Sequence, residues 1–287
     1  MDISDLLNKY SLSSIQDVET IKLSTHRSLW DNIELEKILP LNSLLSLKSA
    51  LPKQKLSNFT SLRELDASTL NMEDINPEFF SQCSLEKFEF RNGKIRLQKS
   101  FLELKKLKEI LFFDVKISSL PKDIGELKAL ENIRLGYTNI KKLPDSISNL
   151  QNLQSLHVWN KLETLENIVL PNSLLELDCR GSKITSIPED VFKPSKLRKI
   201  DFGSNPITNI PLIKNENIQF FRISATPVGV YKANIDKIKK FLPNSDIEGG
   251  RSGTYFADID GFVYLSHCKK GPTGGYFYKK DFEKFKI

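Results

Sequence analysis

Apolar residues recur along this chain in short, regularly spaced triplets. Each triplet occupies offsets 0, +3 and +5 of a unit that repeats every 21 to 23 residues. Apolar residues fill 29 of the 30 offsets, Ser46 being the exception, whereas an apolar fraction of 39% predicts roughly 12 by chance. The ten units open at Val18, Leu41, Leu62, Leu85, Leu107, Leu130, Leu153, Leu174, Leu197 and Ile218.

The spacing predicts short parallel strands. Offsets +3 and +5 of a strand point to the same face, so two apolar side chains enter a core while their neighbours point outward. A turn and a helical or 3₁₀ segment would then return the chain and place the next strand beside the first. One unit cannot bury its own apolar face, so the units must stack. The Leu41 unit is ambiguous, because Leu45 and Leu47 offer a frame shifted by one residue.

Four units continue with a step of the type Ile-x-x-Leu-Pro or Ile-x-x-Ile-Pro. These steps lie at Ile117–Pro121, Ile140–Pro144, Ile184–Pro188 and Ile207–Pro211. With them the chain resembles leucine-rich-repeat proteins over residues 18–230, and residues 169–188 are similar to the short bacterial repeat types. The asparagine that usually caps the turn of such repeats at offset +8 is present as Asn205, and hydroxyl residues replace it at Thr138, Ser182 and Thr226.

The resemblance implies an α/β leucine-rich-repeat solenoid, with a curved parallel sheet on its concave face and helical or 3₁₀ segments on its convex side. We expect a helical cap at residues 1–17, about ten repeats at 18–230, a capping helix and linker at 231–248, and a small β-rich tail at 249–287. A longer helix is predicted near residues 28–39. Within the tail, Asp260-Gly261 predicts the turn of a hairpin, and Tyr276–Tyr278 a third strand.

Composition and charge narrow the function only slightly. The 287 residues carry a net charge of +6 and an isoelectric point near 9.0, which is mild for this length. The three cysteines are far apart and predict neither a disulfide framework nor a zinc site. The first residues lack the pattern of a signal peptide, and no apolar run approaches the roughly 18 residues that span a bilayer. We therefore expect a cytoplasmic protein without a membrane segment, although an effector exported without a leader would look the same.

Residues that could support catalysis do not form a recognisable constellation. The three histidines are His26, His157 and His267, and the register separates the first two by several repeats. His267 and Cys268 are neighbours, but adjacent residues of a strand point to opposite faces. The glycines around Pro272 are not followed by a helix, so a phosphate loop is not supported. We expect no metal, no cofactor and no enzymatic activity.

The repeat register instead predicts a recognition surface. If offsets +3 and +5 enter the core, then +2, +4, +6 and +7 lie on the concave strand face. Aromatic residues fall at these offsets in three consecutive repeats, with charged residues beside them, and exposed aromatics with arginine are typical of interfaces. The predicted protein-binding residues are Leu111, Phe113, Arg134, Tyr137, His157, Trp159, Asp178, Arg180, Asp201 and Arg222.

These observations favour a protein-recognition scaffold, expected to be a monomer, that binds a protein partner on its concave face. Two narrower hypotheses are a bacterial neutraliser of a toxin or enzyme, and an effector that docks on a host protein. The alternative is an enzymatic or nucleic-acid-binding activity in the tail, where basic and aromatic residues alternate. That tail carries no nucleic-acid motif, so nucleic acid is not the expected partner.

Overall fold

In a computed structural model, the chain is described over residues 20–22, 63–68, 84–230, 232–250, 258–259, 262–263 and 277–278. The chain forms two compact units. The N-terminal unit comprises residues 1–140 and 144–155, and the C-terminal unit comprises residues 141–143 and 156–287. The predicted N-terminal cap, the predicted helix near residues 28–39 and the Leu41 unit lie outside the described residues.

The N-terminal unit contains parallel strands in the order of the sequence. They are β1 (Thr20–Lys22), β2 (Glu64–Ser68), β3 (Lys87–Lys94), β4 (Glu109–Lys116) and β5 (Asn132–Gly136). Residues at the same offset pair, as in Phe88 with Ile110 and Ile110 with Ile133. Strand β1 pairs directly with β2, as in Ile21 with Leu65.

The C-terminal unit continues the same pattern in its own strands. They are β6 (Ser155–Val158), which begins at the unit boundary, β7 (Glu176–Asp178), β8 (Lys199–Asp201), β9 (Phe220–Arg222) and β10 (Asp246–Glu248). Strands β7 to β10 pair in parallel and in order. Within the stretch assigned to a capping helix and linker lies the helix α1 (Lys232–Phe241). Residues 246–248, assigned to a linker, instead form β10, because Ile247 pairs in register with Phe221.

The predicted tail strands are also present. Strands β11 (Asp258–Ile259), β12 (Phe262–Val263) and β13 (Phe277–Tyr278) form a separate antiparallel sheet. Ile259 pairs with Phe262 in antiparallel register, and the predicted turn at Asp260-Gly261 lies outside the described residues. Among the helices that the structure describes, none has the length and apolar character needed to cross a bilayer.

The core consists of the repeated triplets. From Leu85 to Ile223, every residue at offsets 0, +3 and +5 is buried. Large rings pack tightly in the N-terminal unit, where Phe88 and Phe112 meet edge-to-face with centroids 5.5 Å apart. The return segments include short 3₁₀ helices at Lys99–Glu103, Ile124–Glu126, Asp145–Asn149 and Glu189–Phe192. Leucine and isoleucine in these segments add to the apolar core of each repeat. The repeats therefore stack as the pattern predicted.

Backbone groups in the turns are satisfied by three +8 residues, Ser182, Asn205 and Thr226. The Asn205 amide donates to the carbonyl groups of Cys179 and Phe202, and its Oδ1 accepts from the Ile184 N–H. The Thr226 hydroxyl donates to Ile223 O at 2.6 Å and accepts from Gly229 N at 2.9 Å. Thr138 is equally buried, but its hydroxyl has no hydrogen-bond partner among the described residues.

Offset +7 adopts a left-handed backbone in every described repeat from Leu85 to Ile218. Most residues in that position are small or polar, and asparagine, aspartate and glycine tolerate a positive φ well. Tyr137, with φ of 53°, is the one large side chain at this offset. A bulky residue at positive φ is strained. The residues at this offset are Asn92, Asp114, Tyr137, Asn160, Gly181, Ser204 and Ala225.

Candidate functional site

The solvent-facing side of the strands carries the predicted recognition residues, and we call it the strand face. Offsets +3 and +5 are buried, so the alternating offsets +2, +4 and +6 point away from the core. Parallel pairing then aligns residues of equal offset from neighbouring strands, as for Leu111 with Arg134 and Asp178 with Asp201. Each unit has its own cluster on this face.

In the N-terminal unit, aromatic rings lie within β4 and directly after β5. The ring of Phe113 meets the ring of Tyr137 at a centroid distance of 5.0 Å and an interplanar angle of 70°. The strand partner of Phe113 is Gly136, which has no side chain, so the neighbouring Tyr137 ring can lean over this position. Tyr137 is 55% exposed, one of three exposed large hydrophobic side chains among the described residues.

Two arginines flank this aromatic pair. The guanidinium carbon of Arg91 lies 6.0 Å from the centroid of the Phe113 ring, and its Nε donates to Glu89 Oε1 at 2.5 Å. On the other side, Arg134 is exposed and has no acidic partner among the described residues. Leu111, the strand partner of Arg134, is half-buried. We call Arg91, Leu111, Phe113, Arg134 and Tyr137 the Phe113 patch.

In the C-terminal unit, Trp159 is held between two other side chains. The Arg180 guanidinium carbon lies 5.1 Å above the indole ring, and the His157 ring is 5.7 Å from it. Asp178 Oδ2 fixes Arg180 through an ion pair of 2.6 Å. The indole Nε1 is buried and has no hydrogen-bond partner among the described residues. We call these four residues the Trp159 cluster.

A row of charged side chains continues from His157 across the next strands. His157 Nε2 lies 3.4 Å from Glu176 Oε1, and the same oxygen pairs with Lys199 Nζ at 2.8 Å. The Lys199 ammonium in turn lies 5.8 Å from the Phe220 ring centroid. His157 is only 8% exposed, so its contribution is to orient neighbours more than to offer contact area.

A second row of charged residues connects the last strands of this unit. Arg222 Nη1 donates to Asp201 Oδ2 at 3.3 Å, and its Nε lies 2.6 Å from Glu248 Oε2. Burial alone would lower the pKa of Arg222, but these two carboxylates raise it above its usual value. The guanidinium is therefore permanently charged and anchors β9 to both of its neighbours.

The acidic side chains of this face serve the fold. Asp178 Oδ1 accepts the Arg180 N–H, and Asp201 Oδ1 accepts the Gly203 N–H at 2.9 Å. Both carboxylates are buried and also engage an arginine. Burial, followed by the charges of these two aspartates, raises the pKa of the Cys179 thiol well above its ordinary value. The described residues contain no group of three or more His, Cys, Asp and Glu side chains able to hold a metal ion.

The ten predicted site residues thus differ in accessibility. Arg134, Tyr137 and Arg180 are exposed, and Leu111, Phe113, Trp159 and Arg222 are partly exposed. His157, Asp178 and Asp201 are buried and support their neighbours. The prediction omitted Glu176, Lys199 and Glu248, which hold these side chains in place. Glu176 and Lys199 could have been found by reading the +2 offsets down the repeats.

Comparison with known proteins identifies the repeat type. A family model described as a BspA-type leucine-rich repeat region matches residues 27–147 and 125–228, with six copies in all. An internalin (InlF) from Listeria monocytogenes has a similar structure, with 17% identity, 86% of this chain and 65% of that chain covered, and a TM-score of 0.55. A chain of the LRIM1/APL1C complex is 17% identical, with 70% and 37% covered and a TM-score of 0.55.

A leucine-rich-repeat protein of Leptospira interrogans is 20% identical, covers 67% of this chain and 62% of its own, and has a TM-score of 0.45. The chain spans less than two thirds of the length of each of these proteins. At such identities, the similarity to the internalin and to the LRIM1/APL1C chain shows a shared leucine-rich-repeat solenoid fold.

Proposed function

We propose that this chain, which belongs to the family of BspA-type leucine-rich-repeat proteins, is a non-enzymatic scaffold that recognises a protein partner through its strand face. Proteins with this repeat are generally protein-interaction scaffolds. In the LRIM1/APL1C complex, a chain of the same fold is assembled with another protein. The fold alone does not assign a function, so the proposal depends on the side chains of the face itself.

The observation that carries the proposal is the placement of aromatic residues outside the core. Phe113 and Tyr137 in one unit, and Trp159 in the other, lie on the strand face beside arginine side chains. Tyrosine, tryptophan and arginine are the residues most enriched among interface hot spots, where they combine large contact area with few rotatable bonds. A solvated sheet with no partner would gain nothing from them.

Two narrower roles fit such a scaffold. A protein that neutralises a toxin or enzyme needs a rigid face that covers a fixed surface, and an effector needs the same to dock on a host protein. The toxin-neutralising role is our first choice within this proposal, with the cytoplasm as its compartment. The buried free thiol of Cys179 is compatible with that reducing compartment.

The test compares three immobilised proteins for what they retain from native lysate, identified by mass spectrometry. The first is the wild type, the second carries Phe113→Thr, Tyr137→Asn and Trp159→Thr, and the third is a matched control. The control carries alanine at exposed lysines outside the strands, namely Lys106, Lys122 and Lys196.

A protein retained by the wild type and the lysine control, but not by the folded strand-face variant, supports the proposal. Equal retention by the wild type and the strand-face variant overturns it, because the partner would then bind another surface. Circular dichroism and a thermal melt establish that each variant is folded before it is compared.

A further inference from the structure

We propose that the Phe113 patch binds an acidic segment of its partner that presents an aromatic or branched aliphatic side chain. This inference rests on the proposed function and adds the chemistry of the partner. The apolar side chain would contact Phe113, Tyr137 and Leu111, while a carboxylate of the same segment would pair with Arg134. Three observations support it: backbone strain, the charge of the strands and the form of the aromatic pair.

The strain lies at Tyr137. In the described repeats from Leu85 to Ile218, the residue at offset +7 has a positive φ, and elsewhere it is Asn, Asp, Gly, Ser or Ala. A tyrosine there costs folding stability, and its ring is mostly exposed, so the core does not compensate for that cost. Strained residues of this kind persist where function requires them. The ring of Tyr137 is therefore positioned for contact with a ligand.

The charge of the strands selects the sign of the partner. The five strands of the N-terminal unit carry six basic and five acidic residues, a small basic excess, whereas strands β6 to β10 carry two basic and five acidic residues. Arg134 has no acidic partner among the described residues, so its charge is available to a ligand. Complementary charge speeds encounter and excludes partners of the wrong sign. A segment rich in Asp or Glu fits the N-terminal unit, and one rich in Lys or Arg does not.

The aromatic pair favours a peptide over single-stranded nucleic acid. Bases stack on exposed ring faces, whereas the Phe113 and Tyr137 rings are inclined by 70° and the Phe113 face is covered in part by Arg91. The angled pair instead forms a corner that accepts one apolar side chain.

The test uses a displayed library of random peptides of about a dozen residues, selected on the wild-type protein. Selected clones are measured against two folded variants, Phe113→Thr with Tyr137→Asn, and Trp159→Thr with Arg180→Ala. Asparagine suits position 137 because Asn92 and Asn160 occupy the same offset with positive φ. The variant Ser204→Asn, at that offset in another repeat, controls for the substitution itself.

We expect clones that combine Asp or Glu with Trp, Phe, Tyr, Leu or Ile, and that bind the Phe113/Tyr137 variant at least about thirtyfold more weakly. Their affinity should fall with added salt and with Arg134→Glu, and stay unchanged with Ser204→Asn. Enrichment of basic peptides overturns the inference, as does loss of binding only in the Trp159/Arg180 variant, although the latter leaves the scaffold function intact. Binding of oligothymidylate at comparable affinity would overturn the inference and indicate that the patch binds nucleic acid. Clones that bind all variants equally, or no clones, contradict this inference, whereas the proposed function is contradicted only by equal retention from lysate.

Discussion

The ring of Tyr137 rests edge-on against the ring of Phe113, 5.0 Å between centroids, while its own backbone holds a φ of 53°. The contact joins Phe113, within β4, to Tyr137, the residue that follows β5. The positive φ of Tyr137 costs folding stability, and its exposed ring offers contact area to a partner. The two effects can be measured separately.

Backbone strain at position 137 should reverse the usual order of glycine and alanine. We expect Tyr137→Gly to be more stable to urea than Tyr137→Ala by about 1 kcal/mol, because only glycine adopts a positive φ without cost. At the exposed strand residue Lys116, the same two substitutions should show the ordinary order, with alanine more stable. Greater stability of Tyr137→Ala would mean that the backbone there is not strained.

The repeat register assigns Leu156 to the core and leaves Leu175 outside it. Leu156 is fully buried, whereas Leu175 is 40% exposed. Leu156→Ala should therefore lower the free energy of unfolding by roughly 2 to 5 kcal/mol, and Leu175→Ala by less than about 1 kcal/mol. Equal losses in urea denaturation would show that the register is misplaced.

The threonines at offset +8 provide a matched pair for the value of a buried hydroxyl. Thr226 makes two hydrogen bonds to the backbone, and Thr138 makes none to the described residues. Thr226→Val should cost about 1 to 3 kcal/mol, because the buried Ile223 carbonyl loses its hydroxyl donor and the Gly229 N–H keeps only its bond to the Thr226 carbonyl. Thr138→Val should be neutral or slightly stabilising. A similar loss at both positions in thermal melts would show that the Thr138 hydroxyl has a partner in the folded protein.

The thiol of Cys179 should be unreactive in the folded protein. It is fully buried, and because burial raises its pKa, it stays protonated at the mildly alkaline pH used for labelling. In a background with Cys83→Ser and Cys268→Ser, we expect labelling by a maleimide only at the rate of unfolding, rising steeply with urea. Rapid stoichiometric labelling without denaturant would show that the thiol at offset +5 of this repeat is accessible.

The sequence predicted the repeats because the core of this fold is local and periodic. The position of Leu107, Ile110 and Phe112 in their repeat is enough to predict that they are buried. Each neighbouring repeat has an apolar face that must also be buried. Strand β10 was missed because it carries a single apolar residue at the right place, Ile247, and lacks the triplet. Its position is determined by pairing with β9, which is a tertiary interaction.

The alternation of side chains along a strand predicted which residues point away from the core, but not how far each is exposed. Offset +4 predicted an outward side chain at Asp178 and Asp201, but short carboxylates there accept backbone N–H groups two residues later and are covered by arginines. The partner of Asp201 is Arg222, 21 residues away, so its burial depends on exact register and rotamers. Long or aromatic side chains at the same face, such as Tyr137, reach past this layer and remain accessible.

The most direct test of recognition through the strand face is a calorimetric titration of the most abundant protein retained by the wild type. It would be titrated into the wild type, the variant Phe113→Thr/Tyr137→Asn/Trp159→Thr and the variant with alanine at Lys106, Lys122 and Lys196. We predict that the dissociation constant rises at least about thirtyfold for the aromatic variant and by less than about twofold for the lysine variant. An unchanged dissociation constant for the folded aromatic variant would contradict recognition through this face.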